Sequence, residues 1–150
     1  MEIVLCVIRP RPWRSSDPAR QLLDAYIARS AKTQPVHLEE FRTEAGLWAW
    51  AEKRRGRVPA FHLLTDSRGR QYTSEQFADE LARVRDRGTQ LLILGVGPAD
   101  GWSGEALARA NSTLSFGNVT LPHELAAVIA AEQIYRATTI WSGHPYHGGH

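Results

Sequence analysis

The chain has 150 residues, of which 43% are hydrophobic and 23% are charged, and its formal net charge is +2. This length predicts a single domain spanning 1–150, and the composition is typical of a globular protein. The only cysteine is Cys6, which excludes a disulfide framework and a cysteine-ligated metal site. No apolar run approaches the ~18 residues of a membrane span, and the run 3–8 is too short for a signal sequence. We therefore expect a cytoplasmic protein without a membrane partner.

The first two predicted strands flank a helix. The apolar run 3–8 is continuous rather than alternating, which predicts a strand buried on both faces. Asp17 is the predicted N-cap of the helix, with Pro18 at the first helical position. The apolar stripe of this helix consists of Leu22, Leu23, Tyr26 and Ile27. A short second strand is expected at 36–38.

A second helix and a third strand follow. Thr43 is the predicted N-cap of this helix. The helix is expected to end in basic residues before Gly56, whose left-handed conformation would stop it. The third strand is predicted at 58–65. The polar, glycine-containing segment 66–70 predicts a loop.

The third predicted helix has clear signals at both ends. Thr73 and Gln76 form a predicted capping box, and Gly88 ends the helix. A fourth strand is expected at 90–94 and, after a loop and a short helix, a fifth at 113–116. Strands that alternate with helices in this way predict an α/β domain with a mainly parallel sheet.

The last helix is predicted from Leu121 to Thr138, with Pro122 in its first turn. Its apolar residues form two faces, one of Leu125, Val128 and Ile129 and one of Ala127, Ala131, Ile134 and Tyr135. A helix that is apolar on two faces is buried by more than one neighbour. This pattern predicts that the helix packs on its own sheet and on a second partner.

The loop 95–101 is rich in glycine but matches no nucleotide-binding signature. The spacing of Gly95, Gly97 and Gly101 differs from G-x-G-x-x-G, and the loop follows the fourth strand instead of the first. One interpretation is a tight turn between strand and helix. The other is a loop whose bare backbone allows a cofactor to lie close.

Three motifs near the carboxyl end carry a resemblance to a known family. They are LSFGNVTLPHEL from Leu114, EQIYRA from Glu132 and the closing PYH from Pro145. In this order they resemble the SPOUT-class methyltransferase family that methylates N3 of pseudouridine in large-subunit ribosomal RNA. The resemblance is strongest over 65–147 and slight before residue 44.

The resemblance implies both a fold and a function. The fold is an α/β, SPOUT-type parallel sheet with helices on both faces and a C-terminal trefoil knot. The function is S-adenosylmethionine-dependent methylation of pseudouridine N3 in 23S ribosomal RNA, performed without a metal by a homodimer that acts on the large subunit or the assembled ribosome. Two alternatives stay open: a SPOUT methylase of another RNA such as tRNA, and an RNA- or ribosome-binding paralogue that has lost catalysis.

The family's cofactor segments map onto three places in this chain. Thr65 stands where the family has a leucine in the first segment. The glycine turn, IGGxxG in the family, is one residue longer here, so either Gly95 or Gly97 takes the role of the family glycine. The third segment maps without a gap onto Phe116, Gly117, Asn118, Val119, Thr120 and Leu121.

The resemblance also implies catalytic roles near the carboxyl end. In the family the closing Tyr-His folds over the active site, often that of the partner subunit, which assigns these roles to Tyr146 and His147. The alternative for this pair is a frayed terminus, and the chain continues with Gly148, Gly149 and His150 instead of a short basic ending.

Two further helpers are predicted in the same stretch. Arg136 either pairs with Glu132 one turn earlier or faces RNA phosphate or the substrate base. His123, at the start of the last helix, is either a catalytic helper or a capping and packing residue.

Overall fold

A five-stranded parallel sheet forms the centre of the molecule. In the computed structural model, which describes residues 1–149, the strands stand in the order β2-β1-β4-β3-β5. Their bounds are β1 Glu2–Ile8, β2 Val36–Phe41, β3 Phe61–Gln71, β4 Leu91–Val96 and β5 Ser112–Ser115. Every neighbouring pair is parallel, which confirms the predicted α/β sheet.

Helices cover both faces of the sheet, as the resemblance implies. Their bounds are α1 Pro18–Ser30, α2 Glu44–Lys53, α3 Ser74–Asp86, α4 Gly104–Arg109 and α5 His123–Ser142, followed by a 3-10 turn at His147–Gly149. Alternate β1 side chains enter two separate cores. Ile3, Leu5 and Val7 pack in the core that contains residues of α1, α3 and α5, whereas Val4 and Cys6 pack in the core with residues of α2 and α4. Within residues 1–149, no helix has the length and apolar character needed to span a membrane.

The helix ends confirm most of the predicted capping signals. Thr43 accepts a hydrogen bond from a backbone N–H of the first turn of α2, and Thr73 forms the predicted capping box at the start of α3. Gly88 follows α3 with φ of +94°. Asp17 is the N-cap residue of α1 but makes no side-chain cap bond, because its carboxylate accepts the backbone N–H of Arg14. The prediction of a left-handed stop at Gly56 was wrong, since the C-cap of α2 is Arg54 in right-handed geometry.

The predicted loop at 66–70 is a bulge inside β3. Thr65 and Arg70 both pair with Leu114, so the residues between them leave the ladder. A Cβ on Gly69 would lie 2.6 Å from the backbone nitrogen of Leu114, and only glycine permits that approach. The bulge of β3 thus lies directly against the backbone of β5.

Helix α5 is longer than predicted and ends at Ser142, before Gly143 in the left-handed conformation with φ of +69°. Pro122 is its N-cap residue rather than part of its first turn. The face that packs on this chain consists of Ala127, Ala130, Ala131, Ile134 and Ala137, all buried. On the other face Leu125 is 50% exposed, so the second apolar face is only partly covered by residues 1–149.

Candidate functional site

A cavity of about 370 Å³ lies at the carboxyl ends of β3, β4 and β5. The bulge of β3, the glycine loop after β4 and the turn after β5 surround it. Its lining consists of Thr65, Asp66, Ser67, residues 96–102, residues 114–121, His123 and Ala126. Ligands of open parallel sheets bind beyond the carboxyl ends of the strands, and a volume of this size suits a small organic ligand.

The structure separates the two glycines that the sequence left as alternatives. Gly97 lines the cavity. Gly95 is absent from its lining because it lies inside β4, paired with Cys6 and Leu64, and not in the loop predicted to start there. A Cβ on Gly95 would lie 2.6 Å from the Leu64 side chain and 2.9 Å from the ring of Trp102. The absence of a side chain at Gly95 therefore allows Leu64 and Trp102 to pack against β4 beneath the cavity.

Trp102 supports the glycine loop from below, a role that the sequence reasoning missed. Its indole N–H donates to the backbone oxygen of Thr65 at 2.9 Å, which ties the loop after β4 to the start of the bulge in β3. A Cβ on Gly97 would lie 2.8 Å from the Trp102 ring. The sequence signal that could have indicated this role is the position of the tryptophan, immediately after Gly101.

The turn after β5 is shaped by Gly117 and Ser115. Gly117 has φ of +114°, a conformation that a residue with a Cβ adopts only with strain. The Ser115 hydroxyl accepts the Gly117 N–H at 3.2 Å and donates to the Gly117 carbonyl at 3.1 Å. All six residues predicted for this segment, 116–121, line the cavity.

The charged groups of the cavity are mainly acidic. Asp66 and Asp100 both line it. Hydrogen bonds from the side chain and backbone N–H of Arg68 hold the pKa of the Asp66 carboxyl below its usual value, so this group is a carboxylate at neutral pH. His123 also lines the cavity, and its buried Nε2 has no hydrogen-bond partner within residues 1–149. Because Arg68 offsets the charge of Asp66, the negative charge that the cavity offers a ligand comes mainly from Asp100, and His123 adds a polar contact.

The other three predicted catalytic residues meet on α5. Glu132 Oε1 accepts hydrogen bonds from Arg136 Nη2 at 2.6 Å and from the Tyr146 hydroxyl at 3.0 Å. The Tyr146 ring lies 4.7 Å from the ring of Tyr135, with the Arg136 guanidinium 4.9 Å from its centroid. Burial raises the pKa of the Tyr146 phenol, and hydrogen bonds with Tyr26 and Glu132 act in the same direction. Tyr146 is therefore a hydrogen-bond donor and not a base at neutral pH.

His147 joins this cluster to the start of α3. Its Nδ1 lies 3.1 Å from Arg136 Nη1 and its Nε2 lies 2.9 Å from Glu75 Oε1. Because arginine can only donate, Nδ1 accepts a hydrogen bond from Arg136, and the Nε2–H group donates one to Glu75. The tail is thus fixed by contacts at Tyr146 and His147 and is not a frayed end, while His150 lies outside the described residues.

The tail and the cavity of one chain lie at different places along α5. Among the residues that the structure describes, Arg136, Tyr146 and His147 are absent from the lining of the 370 Å³ cavity, whereas His123 belongs to it. Arg136 follows His123 by thirteen positions, which corresponds to about 20 Å along the helix axis. Residues 1–149 also contain no group of three or more His, Cys, Asp or Glu side chains able to hold a metal ion.

The comparison with family models matches nearly the whole chain. The model described as "Predicted SPOUT methyltransferase" covers residues 1–147. This range contains every element of the sheet and both parts of the candidate site.

Similar proteins share one name. The chain is 39% identical over 158 aligned positions to "Ribosomal RNA large subunit methyltransferase H" of Cereibacter sphaeroides, with 98% of this chain and 99% of that protein covered. It is 53% identical over 97 residues to the protein of the same name from Koribacter versatilis, with 65% of this chain and 66% of that protein covered.

A solved structure has a similar fold. The SpoU methyltransferase AviRb from Streptomyces viridochromogenes, in complex with AdoMet, aligns with a TM-score of 0.51 and 16% identity. The alignment covers 89% of this chain and 56% of that one.

Proposed function

Because this chain belongs to the SPOUT methyltransferase family, we propose that it is an S-adenosylmethionine-dependent enzyme that methylates N3 of pseudouridine in 23S ribosomal RNA of the large subunit. The observation that carries the proposal is the end-to-end similarity to a large-subunit methyltransferase, with 98% of this chain and 99% of that relative aligned. The pseudouridine target rests on the three carboxyl-terminal motifs.

The cavity beyond β3, β4 and β5 suits this cofactor. S-adenosylmethionine supplies a methyl group bound to a positively charged sulfur. The carboxylate of Asp100 favours that charge, and the backbone at Gly97 and Gly117 lets a ligand lie against the chain. Thr65 and residues 116–121 form the remaining walls, and the buried Nε2 of His123 is available for a polar group of the ligand.

In the proposed reaction, a lone pair of the acceptor nitrogen forms a bond to the methyl carbon as the methyl–sulfur bond breaks, and the electrons of that bond stay on sulfur. The nitrogen also gives up its imide proton to a base or to water. The contribution of the protein is to hold donor and acceptor in line, which is worth up to roughly 7–11 kcal/mol. A positioned base adds about 10²- to 10⁴-fold.

The tail cluster is the proposed acceptor side of the site. In this chain both ring nitrogens of His147 are engaged, by Arg136 and Glu75. The Nδ1 lone pair of His147 can accept another donor only after the contact with Arg136 opens. Tyr146 stays protonated, so its proposed role is to orient Glu132 and Arg136 and to shape the contact with the base.

We further propose a homodimer in which the tail of one chain reaches the cavity of the other. Two observations support it: the tail lies away from the cavity of its own chain, and apolar side chains near the start of α5 are exposed, Leu125 to 50% and Val119 to 71%. The chain is proposed to fold as one domain and to act in the cytoplasm on the large subunit or the assembled ribosome.

Two measurements test the function. Isothermal calorimetry should show S-adenosylmethionine binding to the purified protein, and failure to bind would favour the paralogue that has lost catalysis. The modified nucleosides of ribosomal RNA should include 3-methylpseudouridine in a strain with the gene and lack it in a strain without the gene. If the two strains differ only in their tRNA, the substrate is tRNA and not ribosomal RNA.

A further inference from the structure

A second cavity of about 270 Å³ shares a wall with the first. Residues 114–117, at the end of β5, line both cavities. The remaining lining of the second cavity consists of Gln71, Tyr72, Thr73, Ser74, Phe77, Ile129 and Gln133. A molecule bound there lies directly beside the proposed cofactor.

Aromatic side chains form much of the second cavity. Tyr72, Phe77 and Phe116 all line it, and the rings of Tyr72 and Phe77 meet edge to face at 6.3 Å. Unpaired RNA bases bind proteins by stacking on such rings. The wall composition therefore fits a flat, uncharged ring.

Gln133 is one of the polar residues that line this cavity, together with Gln71, Thr73, Ser74 and Ser115. Its Oε1 accepts the Ser74 hydroxyl at 2.9 Å, and its Nε2 donates to Glu132 at 3.0 Å. A glutamine amide has two N–H donors and two acceptor lone pairs. One donor and one lone pair are thus left after these bonds, which matches a base edge that carries a C=O beside an N–H.

Hydrogen bonds connect this glutamine to the tail. Glu132, which accepts from Gln133, also accepts from Arg136 and Tyr146. Ser74 precedes Glu75, which is bonded to His147. The second cavity therefore adjoins the cofactor cavity through residues 114–117, and its Gln133 belongs to the hydrogen-bond network that fixes the tail of the same chain.

We propose that the second cavity is the pocket for the acceptor base, a uracil-type ring held by stacking and by Gln133. The pocket belongs to the same chain as the adjoining cofactor cavity. This assignment rests on the proposed function. In this assignment the imide nitrogen faces residues 114–117, where the two cavities meet, and Gln133 contacts a different edge of the ring.

Thiol protection tests the pocket without measuring activity. Ile129→Cys places a thiol in the second cavity, and the matched Ala126→Cys places one in the first cavity on the same helix. The native Cys6 is fully buried. Alkylation by iodoacetamide is timed for the free protein, with S-adenosylhomocysteine, and with S-adenosylhomocysteine plus ribosomes from a strain that lacks the gene.

We expect S-adenosylhomocysteine alone to slow alkylation of Ala126→Cys at least tenfold. The alkylation rate of Ile129→Cys should stay within about twofold of its rate in the free protein. Adding the unmethylated ribosomes should slow Ile129→Cys at least tenfold. Ribosomes already methylated at the target should protect it less, because the added methyl occupies the edge that the pocket contacts.

Three outcomes overturn the assignment. Protection of Ile129→Cys by S-adenosylhomocysteine alone would make the second cavity part of the cofactor site. Equal protection by methylated and unmethylated ribosomes, or none by either, would exclude the base. A thiol unreactive in the free protein would show that the cavity is closed. Failure of the proposed function is distinct, since Ala126→Cys would then be unprotected as well.

A substitution of the glutamine gives an independent measurement. Gln133→Leu should keep the affinity for S-adenosylmethionine within about twofold and reduce kcat/KM for unmethylated ribosomes at least tenfold. Gln21→Leu, at an exposed position on α1, is the matched control and should match wild type in both. Wild-type transfer by a folded Gln133→Leu protein would remove Gln133 from the base contact.

Discussion

At the scale of single residues, close backbone approaches decide what each glycine does. Gly95 and Gly97 make room for Trp102, Gly69 makes room for the backbone of Leu114, and Gly117 occupies a conformation with positive φ. At Gly117 a side chain is opposed by the backbone conformation, whereas at the other three glycines it is opposed by a neighbouring group. Substitutions at these positions therefore have different expected effects.

Gly117→Ala should weaken S-adenosylmethionine binding while the protein stays folded. A Cβ there meets no atom within 4 Å, so the effect is local strain of about 1–3 kcal/mol in the turn after β5. We expect roughly a tenfold loss of affinity by calorimetry. Gly104→Ala, also without a close neighbour and without positive φ, is the control. Unchanged affinity in Gly117→Ala would remove this turn from the cofactor site.

Gly97→Val, in contrast, should lower the stability of the protein as well as its affinity for S-adenosylmethionine, because the added side chain displaces Trp102.

Glu132→Ala should lower the free energy of unfolding by about 2 kcal/mol in urea denaturation. The carboxylate is the shared acceptor of Arg136, Tyr146 and Gln133, and its removal leaves a guanidinium that is only 15% exposed without its charged partner. Glu52→Ala removes an ion pair that is more than 70% exposed on both sides and should change stability by less than about 0.5 kcal/mol. Equal effects of the two substitutions would contradict the structural role of the cluster.

The Asp66–Arg68 pair gives a stability contribution with a defined pH dependence. The folded-state pKa of Asp66 lies below its ordinary value of 3.8. The contribution is therefore fully present above the unfolded-state pKa and is lost as the pH falls through the lower folded-state pKa. The difference in unfolding free energy between wild type and Asp66→Asn should be constant above about pH 5 and shrink below about pH 4. A difference that instead changes between pH 6 and 8 would point to another group.

At the scale of elements, α5 carries the two halves of the site at separate positions. Its first turn supplies His123 to the cofactor cavity, while its third and fourth turns hold the tail through Glu132 and Arg136. The helix therefore sets the distance between the proposed cofactor cavity and the tail of the same chain. Changes at the start of α5 should affect cofactor affinity, and changes to the tail should affect methyl transfer.

Deletion of 146–150 should leave dimerisation and cofactor affinity nearly unchanged. Transfer to ribosomes should fall at least about tenfold, equivalent to roughly 1.4 kcal/mol of activation free energy. His147→Ala alone should lose less if His147 only positions the base, and should alter the pH–rate profile if it accepts the proton. A truncated protein that transfers methyl groups at the wild-type rate would direct the search for a base to His123 and Glu132.

At the scale of the whole molecule, the exposed apolar surface favours association of two chains. Leu125 and Val119 are at least half exposed, and α5 has a second apolar face that residues 1–149 cover only in part. Light scattering at micromolar concentration should therefore give twice the mass of one chain. A monomer under those conditions would contradict the homodimer and the proposed reach of the tail to a partner cavity.

The sequence by itself determined the order and type of the elements. The continuous apolar run of β1 reflects burial on two faces, and the threonine caps at Thr43 and Thr73 reflect local hydrogen bonds, so both are readable within a few residues. The three carboxyl-terminal motifs pointed to the family and to the cavity lining at 116–121. Each of these signals is carried by residue types that lie close together along the chain.

Only the tertiary structure decided how distant residues meet. Glu75 and His147 are 72 positions apart, and Trp102 reaches Thr65 across 37. The tertiary structure also placed Gly97, and not Gly95, in the lining of the cavity, and it showed that the predicted loop at 66–70 is a bulge. Sequence spacing carries no information on such meetings, because sheet order and the path of α5 determine which side chains come within hydrogen-bonding distance.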